Sequence, residues 1–237
     1  MSEGSLELER DIELDHLVVA CRTLDAGREW SEATFGATPV AGGRHALMGT
    51  HNLLLATSSP RFPRSYLELI AIDPDAQAPA HPRWFEFDQP DLQAQVALVP
   101  RLVHWVARTT DIVTAAAALR RAGFDPGPVI DAERKTPLSV LRWRIAIAVG
   151  GRRHAGGAVP LLIEWGNVHP TDALPESGMA LQSLTACVAP SLAAWLGVTA
   201  SAISGPEAQA HPAPIVAEFS APRGAVTVTA PAASTNA

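Results

Sequence analysis

The stretch L-D-H-L-V-V-A-C, residues 14–21, decides the fold, because it occurs again in altered form nearly ninety residues later. Its aliphatic and β-branched content reads as a strand. It runs through Thr23 into L-D-A-G-R-E-W-S-E-A-T-F-G, where Leu24, Arg28, Trp30, Glu32 and Phe35 give an amphipathic helix that Gly36 closes. Shorter strands follow at 37–40, 51–57 and 65–72, so residues 12–72 form a βαβββ unit. R-L-V-H-W-V-A-R-T at 101–109 restarts the order. After it come an Ala-rich helix with Asp111 as N-cap and Gly123 near its end, then strands at 128–133, 138–149 and 158–165.

The expected architecture is α+β, with tandem βαβββ modules at 12–72 and 100–167 making a curved, partly closed mixed sheet around a cleft. Residues 73–99, rich in Pro, Asp and Gln around W-F-E-F, read as a connecting segment. A partial third βαββ module is expected at 178–230, and a disordered tail at 231–237. G-G-R-R-H-A-G-G, a glycine-flanked basic tip at 150–157, reads as a candidate mobile flap.

Composition excludes several classes. With 237 residues, 47% hydrophobic and a formal charge of -6, the chain does not favour nucleic acid or an anionic membrane surface as its main partner. No apolar run approaches the roughly 20 residues of a membrane helix, and the acidic N-terminus lacks a signal-peptide core, so the expected location is cytoplasmic. Cys21 and Cys187 have no metal-type spacing and read as buried thiols. There is no phosphate loop, dinucleotide fingerprint or nucleophile elbow.

The charges carry the functional signal. Side chains alternate along a strand, so parity sorts them by face. His16 falls with Leu14, Val18 and Ala20, Glu68 with Tyr66 and Ile70, His104 opposite Val103 and Trp105, and Glu164 opposite Ile163 and Trp165. Each module thus carries a histidine on its first strand and a glutamate on its last. Glutamate after three aliphatic residues, as in P-L-L-I-E-W-G-N at 160–167, needs a wet cleft, a partner cation or a metal. Two imidazoles and two carboxylates on one concave face suit a divalent ion, whether zinc, nickel, cobalt, iron or manganese. Against this stands the ordinary reading of each residue alone, as a satisfied core histidine or a solvated strand-end glutamate.

L-D-H-L-V-V-A, G-G-R-H-A-L-M-G-T-H-N-L-L-L, Y-L-E-L-I-A-I-D-P, R-W-R-I and L-L-I-E-W-G-N together resemble the glyoxalase-like branch of the vicinal oxygen chelate superfamily, over about residues 12–230. In the metal-using members, ligands come from the first and last strands of each module. The resemblance therefore implies His16, Glu68, His104 and Glu164 as ligands. It also suggests His51 and Asn52, with Arg44 and His45, near the cleft as substrate contacts. Arg142 and Arg144, on one face of their strand, either bind an acidic substrate or coat the surface.

The expected function is that of a metal-dependent glyoxalase-like enzyme, a lyase or isomerase acting on a small oxygen-bearing molecule through a metal-stabilised enolate or oxyanion. Glu164 or Glu68 would be the catalytic base, with Glu164 preferred because Trp165 and its apolar neighbours would desolvate it. The alternative is a non-catalytic binding or resistance protein that encloses a small molecule in an aromatic groove. With either, the third module could pair two chains as a homodimer.

Overall fold

The computed structural model describes residues 11–135, 140–201 and 213–231. The expected tail beyond Pro231 and His211 lie outside the described residues.

The first module contains β1 (Ile12–Ala20), α1 (Leu24–Thr34), β2 (Val40–His45), β3 (Thr50–Ala56) and β4 (Tyr66–Ile72). Thr23 caps α1 by accepting from the Ala26 N–H at 3.1 Å, and Gly36 ends it at φ 73°, a conformation glycine enters without a Cβ clash. The connection holds a short helix, α2 (Pro90–Leu98), that the sequence reading did not anticipate. The second module repeats the order with β5 (Arg101–Thr109), α3 (Ile112–Arg121), β6 (Val129–Lys135), β7 (Val140–Ala146) and β8 (Leu161–Trp165).

These eight strands form one curved sheet in the order β2-β3-β4-β1-β5-β8-β7-β6. β1 and β5 meet antiparallel at its centre, and each lies parallel to the last strand of its own module. The two modules are thus joined through their first strands, which places the residues of β1 and β5 at the middle of the concavity.

Strand alternation divides the core in two. Leu17, Val19, Leu67, Leu69, Trp105 and Leu162 face the helices, while Val18, Ile70, Val106, Leu161 and Ile163 face the concave side. Two irregularities in the β1–β5 pairing break this parity, one between Leu14 and His16 and one between Val18 and Val19. The first makes Asp15 an extra residue on β1. Leu14 therefore joins the helix-side core and does not share the face of His16, as simple alternation had suggested.

The third module comprises β9 (Ala180–Ala186), α4 (Pro190–Leu196), β10 (Thr199–Ala200), β11 (Ile215–Ala221) and β12 (Gly224–Thr229), in a separate sheet ordered β10-β9-β11-β12. It is no appendage. Leu181, Leu184, Ile215 and Phe219 belong to the same buried cluster as α1, α3 and the helix side of the large sheet, and Phe219 meets Phe35 edge-on at 5.3 Å. Truncating Phe219→Ala should cost about 3–5 kcal/mol, typical of an aromatic removed from a packed core. Urea unfolding of this variant should remain a single transition at a lower midpoint. Separate transitions would mean that the C-terminal sheet folds apart from the rest.

Candidate functional site

The concave face is roofed by the connecting segment. Trp84, Phe85 and Phe87 turn inward and pack on Val18, Ile70 and Val103, so the aromatic run in this segment is a wall and not a linker. Beneath it lies a cavity of about 50 Å³, lined by His16, His45, Asn52, Tyr66, Glu68 and Arg134, with Trp84, Phe85, Trp143 and Trp165 as its apolar walls.

At its base sits a residue that the sequence reading missed. Asp15, fully buried, receives three donors: His16 Nδ1 at 2.6 Å, His169 Nε2 at 2.9 Å and Trp165 Nε1 at 2.9 Å. Burial alone would raise its proton affinity, but the bonds from His16 and His169 hold its carboxyl well below the usual range. The bulge at position 15 turns this carboxylate under its own neighbour. A signal was available in the charged D-H pair inside an apolar strand, but strict alternation assigns the two residues to opposite faces.

With Nδ1 anchored, His16 directs Nε2 at Glu68 Oε2, 3.5 Å away, and stacks on Tyr66 with ring centroids 4.5 Å apart. Burial would lower its pKa, yet the hydrogen bonds to Asp15 and Glu68 prevail and raise it to about 9. Glu68 is buried, which favours its neutral form, but His16, then His45 and Asn52, hold it below the ordinary carboxylate range. Asn52 Nδ2 donates to Glu68 Oε1 at 2.5 Å, and its Oδ1 accepts from the Gly43 N–H at 2.7 Å. His45 brings Nε2 to 3.8 Å from Glu68 Oε1, with Nδ1 near the Thr50 hydroxyl.

The expected four-ligand metal set is not assembled. Glu164 shares the face of Leu162, on the helix side. Its Oε2 accepts the N–H of Ile112, the first residue of α3, at 2.8 Å, and Arg144 lies 3.1 Å from Oε1. The carboxylate thus fills one of the unsatisfied donors of a helix N-terminus, where the helix dipole favours negative charge. That, and not the cleft, is what a glutamate after L-L-I does here. His104 is on the concave side but behind Phe85, whose ring it meets at 5.3 Å, with Nδ1 bonded to the Gly157 carbonyl at 3.1 Å. Only His16 and Glu68 of the four adjoin each other. Among the described residues, no three His, Cys, Asp or Glu side chains converge closely enough to hold an ion.

The expected substrate contacts divide similarly. Asn52 and His45 line the cavity. Arg44, itself exposed, instead pairs with buried Asp73 and exposed Asp75, and His51, on the side of Leu53 and Leu55, is 3.9 Å from Asp73. Arg142 is bound to Glu133 on the outer face of β7. Arg134, not singled out from the sequence, does line the cavity. The glycine-rich segment at 150–157 is tied to the roof: Arg153 pairs with Glu86 at 2.9 Å, and a Cβ on Gly151 would fall 1.8 Å from the Arg83 carbonyl oxygen. It anchors the roof where a flap was expected. His169, read as a loop residue, is a buried partner of Asp15. Cys21 and Cys187 are free thiols.

The chain matches a known family. Residues 14–199 match the family described as "Glyoxalase-like domain", and the chain belongs to that family, within the vicinal oxygen chelate superfamily. A hypothetical protein from Staphylococcus aureus is similar in structure, with a TM-score of 0.50 and 12% identity over 92% of this chain and 85% of that one. A variant of Streptomyces coelicolor methylmalonyl-CoA epimerase in complex with 2-nitronate-propionyl-CoA has a TM-score of 0.41 and 19% identity, covering 66% and 96%. The methylmalonyl-CoA epimerase from Mycobacterium tuberculosis has a TM-score of 0.39 and 19% identity, covering 68% and 91%. At such identities the likeness concerns the fold alone. No curated protein matches the chain. No helix among the described residues is long and apolar enough to cross a membrane.

Two measurements check this site. Burial lowers the pKa of His45 to about 4 and of His104 to about 3. Below about pH 6.5 the unfolded chain protonates both while the folded chain does not, so stability is lost as pH falls toward 3. His16 acts oppositely, its contribution being full below about 6.5 and lost as pH rises through 9. The urea midpoint should therefore peak near neutrality, and His104→Gln should flatten the acid limb. Second, elemental analysis of protein purified without chelator should find substoichiometric metal. Stoichiometric metal that disappears in His16→Ala would show that a centre does assemble around this residue.

Proposed function

We propose that this chain is a glyoxalase-like isomerase or lyase that moves a proton at the carbon next to a carbonyl of a small oxygen-bearing molecule. The observation that carries the reading is the buried array Asp15–His16–Glu68, with its 2.6 and 3.5 Å separations, opening onto an aromatic-walled cavity. The family's fold supports enzyme chemistry of this class. A divalent metal was the expected electrophile, but the side chains present do not gather the four donors it was assigned.

The residues divide the work as follows. His16, a cation at neutral pH, offers its Nε2–H to the substrate carbonyl oxygen, and Asp15 fixes the orientation of the ring. Glu68 takes the proton from the adjacent carbon, the electron pair moves to the carbonyl oxygen, and His16 stabilises the enolate. Return of the proton to another face or atom completes an isomerisation, and departure of a β-substituent completes an elimination. Free Glu68 is a weak base because His16 hydrogen-bonds to it. Once the carbonyl oxygen takes that bond, Glu68 loses a partner, and burial then raises its proton affinity.

A second reading is favoured by the walls. Trp84, Phe85, Trp143 and Trp165 would also suit a binder that encloses an apolar compound without reaction. Proton NMR in D₂O separates the two, using hydroxyacetone and related small carbonyl compounds as probes. Wild type should exchange hydrogen next to the carbonyl, and Glu68→Gln should slow exchange by about 10²-fold or more, the usual worth of a positioned base. Saturable binding without exchange supports the binder; equal exchange in wild type and Glu68→Gln removes Glu68 from the role.

A further inference from the structure

Arg134 enters the cavity from β6, opposite Glu68, on the side of its strand shared with Ile130. Its Nε is buried with no hydrogen-bond partner, and no ion pair joins it to a carboxylate among the described residues. The nearest acids on its own strand, Asp131 and Glu133, have the opposite parity, and Glu133 is bound to Arg142. Glu68, the carboxylate that shares the cavity, is held by His16 and Asn52. The guanidinium thus lines the cavity with at least its Nε–H donor unmatched.

The backbone opposite is shaped for it. A Cβ on Gly43 would lie 2.1 Å from Arg134 Nη1 and 2.5 Å from its Cζ, so only glycine there lets the guanidinium lie across β2 and into the site. Gly42 does the same for Asn52, whose Oδ1 would be 2.0 Å from such a Cβ. The Gly42–Gly43 pair thus leaves space for two polar groups aimed at one place.

We propose that Arg134 selects substrates bearing a carboxylate, which it binds through its guanidinium fork while the adjacent carbonyl carbon faces His16 and Glu68. This names the substrate class of the reading above, on which it rests. The physical reason is that an anionic substrate approaching the ionised Glu68 meets a like charge, and Arg134 supplies the compensating one. Guanidinium and carboxylate are matched for two parallel bonds, in a setting where few waters compete.

The test is a titration of wild type, Arg134→Met, Arg134→Lys and Gly43→Ala with pyruvate, lactate, their neutral amides and inorganic phosphate. Tryptophan fluorescence reports binding, because three tryptophans wall the cavity. Pyruvate or lactate should saturate wild type and the amides should not. Arg134→Met should weaken binding by about thirtyfold or more, Arg134→Lys by less, and Gly43→Ala should weaken it by displacing the guanidinium. Circular dichroism and melting of each variant confirm that the fold is kept. Equal affinity in wild type and Arg134→Met overturns the proposal, as does binding of phosphate alone or of no carboxylate. Because Glu68→Gln is read by hydrogen exchange and Arg134→Met by binding, anion binding that survives without exchange overturns the proton-transfer reading and leaves this one standing.

Discussion

The structure of the cavity depends on one carboxylate held as an anion where water does not reach. Asp15 has no exposed surface, and an isolated charge there would be too costly to persist. It persists because β1, β8 and the turn after β8 each deliver a hydrogen-bond donor to it, from His16, Trp165 and His169. The same three bonds fix the ring of His16, the plane of one tryptophan wall and the path of the chain beyond residue 165. A half-satisfied version of this network would be worse than none, since loss of any donor leaves charge uncompensated in a low-dielectric interior. Its members therefore act as one unit, drawn from both modules.

Much of the architecture could be read from residue types. The strand-helix starts at 14 and 101, the cap Asp111 and the glycines Gly36 and Gly123 each specify local geometry through their own chemistry, and the duplicated order of elements followed. The site was legible only in part. Parity placed His16 and Glu68 on a common face, but it carries no information about bulges, and one extra residue at Asp15 was enough to hide the group on which His16 depends. Glu164 shows the other limit. Sequence shows that a carboxylate between apolar residues requires a partner; it does not show that the partner is the first N–H of a helix some fifty residues earlier. Arg134 was invisible for a related reason: its place depends on the lack of a Cβ at Gly43 and of an ion-pair partner among the described residues.

The second, four-stranded sheet alters how the two modules should be regarded. Its inner face completes the core on the convex side, against the helices, leaving the concave side to the aromatic roof. Site and stability are thereby placed on opposite faces of one sheet. Residues on the concave side can serve polarity and charge at some cost in packing, since the larger apolar cluster lies behind them.

The roof itself has an uneven character. Phe85 and Glu86 both adopt left-handed backbone, at φ 59° and 58°, an uncommon and unfavourable choice for side-chain-bearing residues, and Glu86 is held by Arg153 at a partly exposed position. An apolar roof fastened at one end by a partly exposed ion pair feels the ionic strength of its surroundings there, because dissolved salt weakens that pair and leaves the aromatic contacts untouched. The two kinds of contact that hold the roof therefore answer to different conditions, the charged one to dissolved salt and the oily one to temperature.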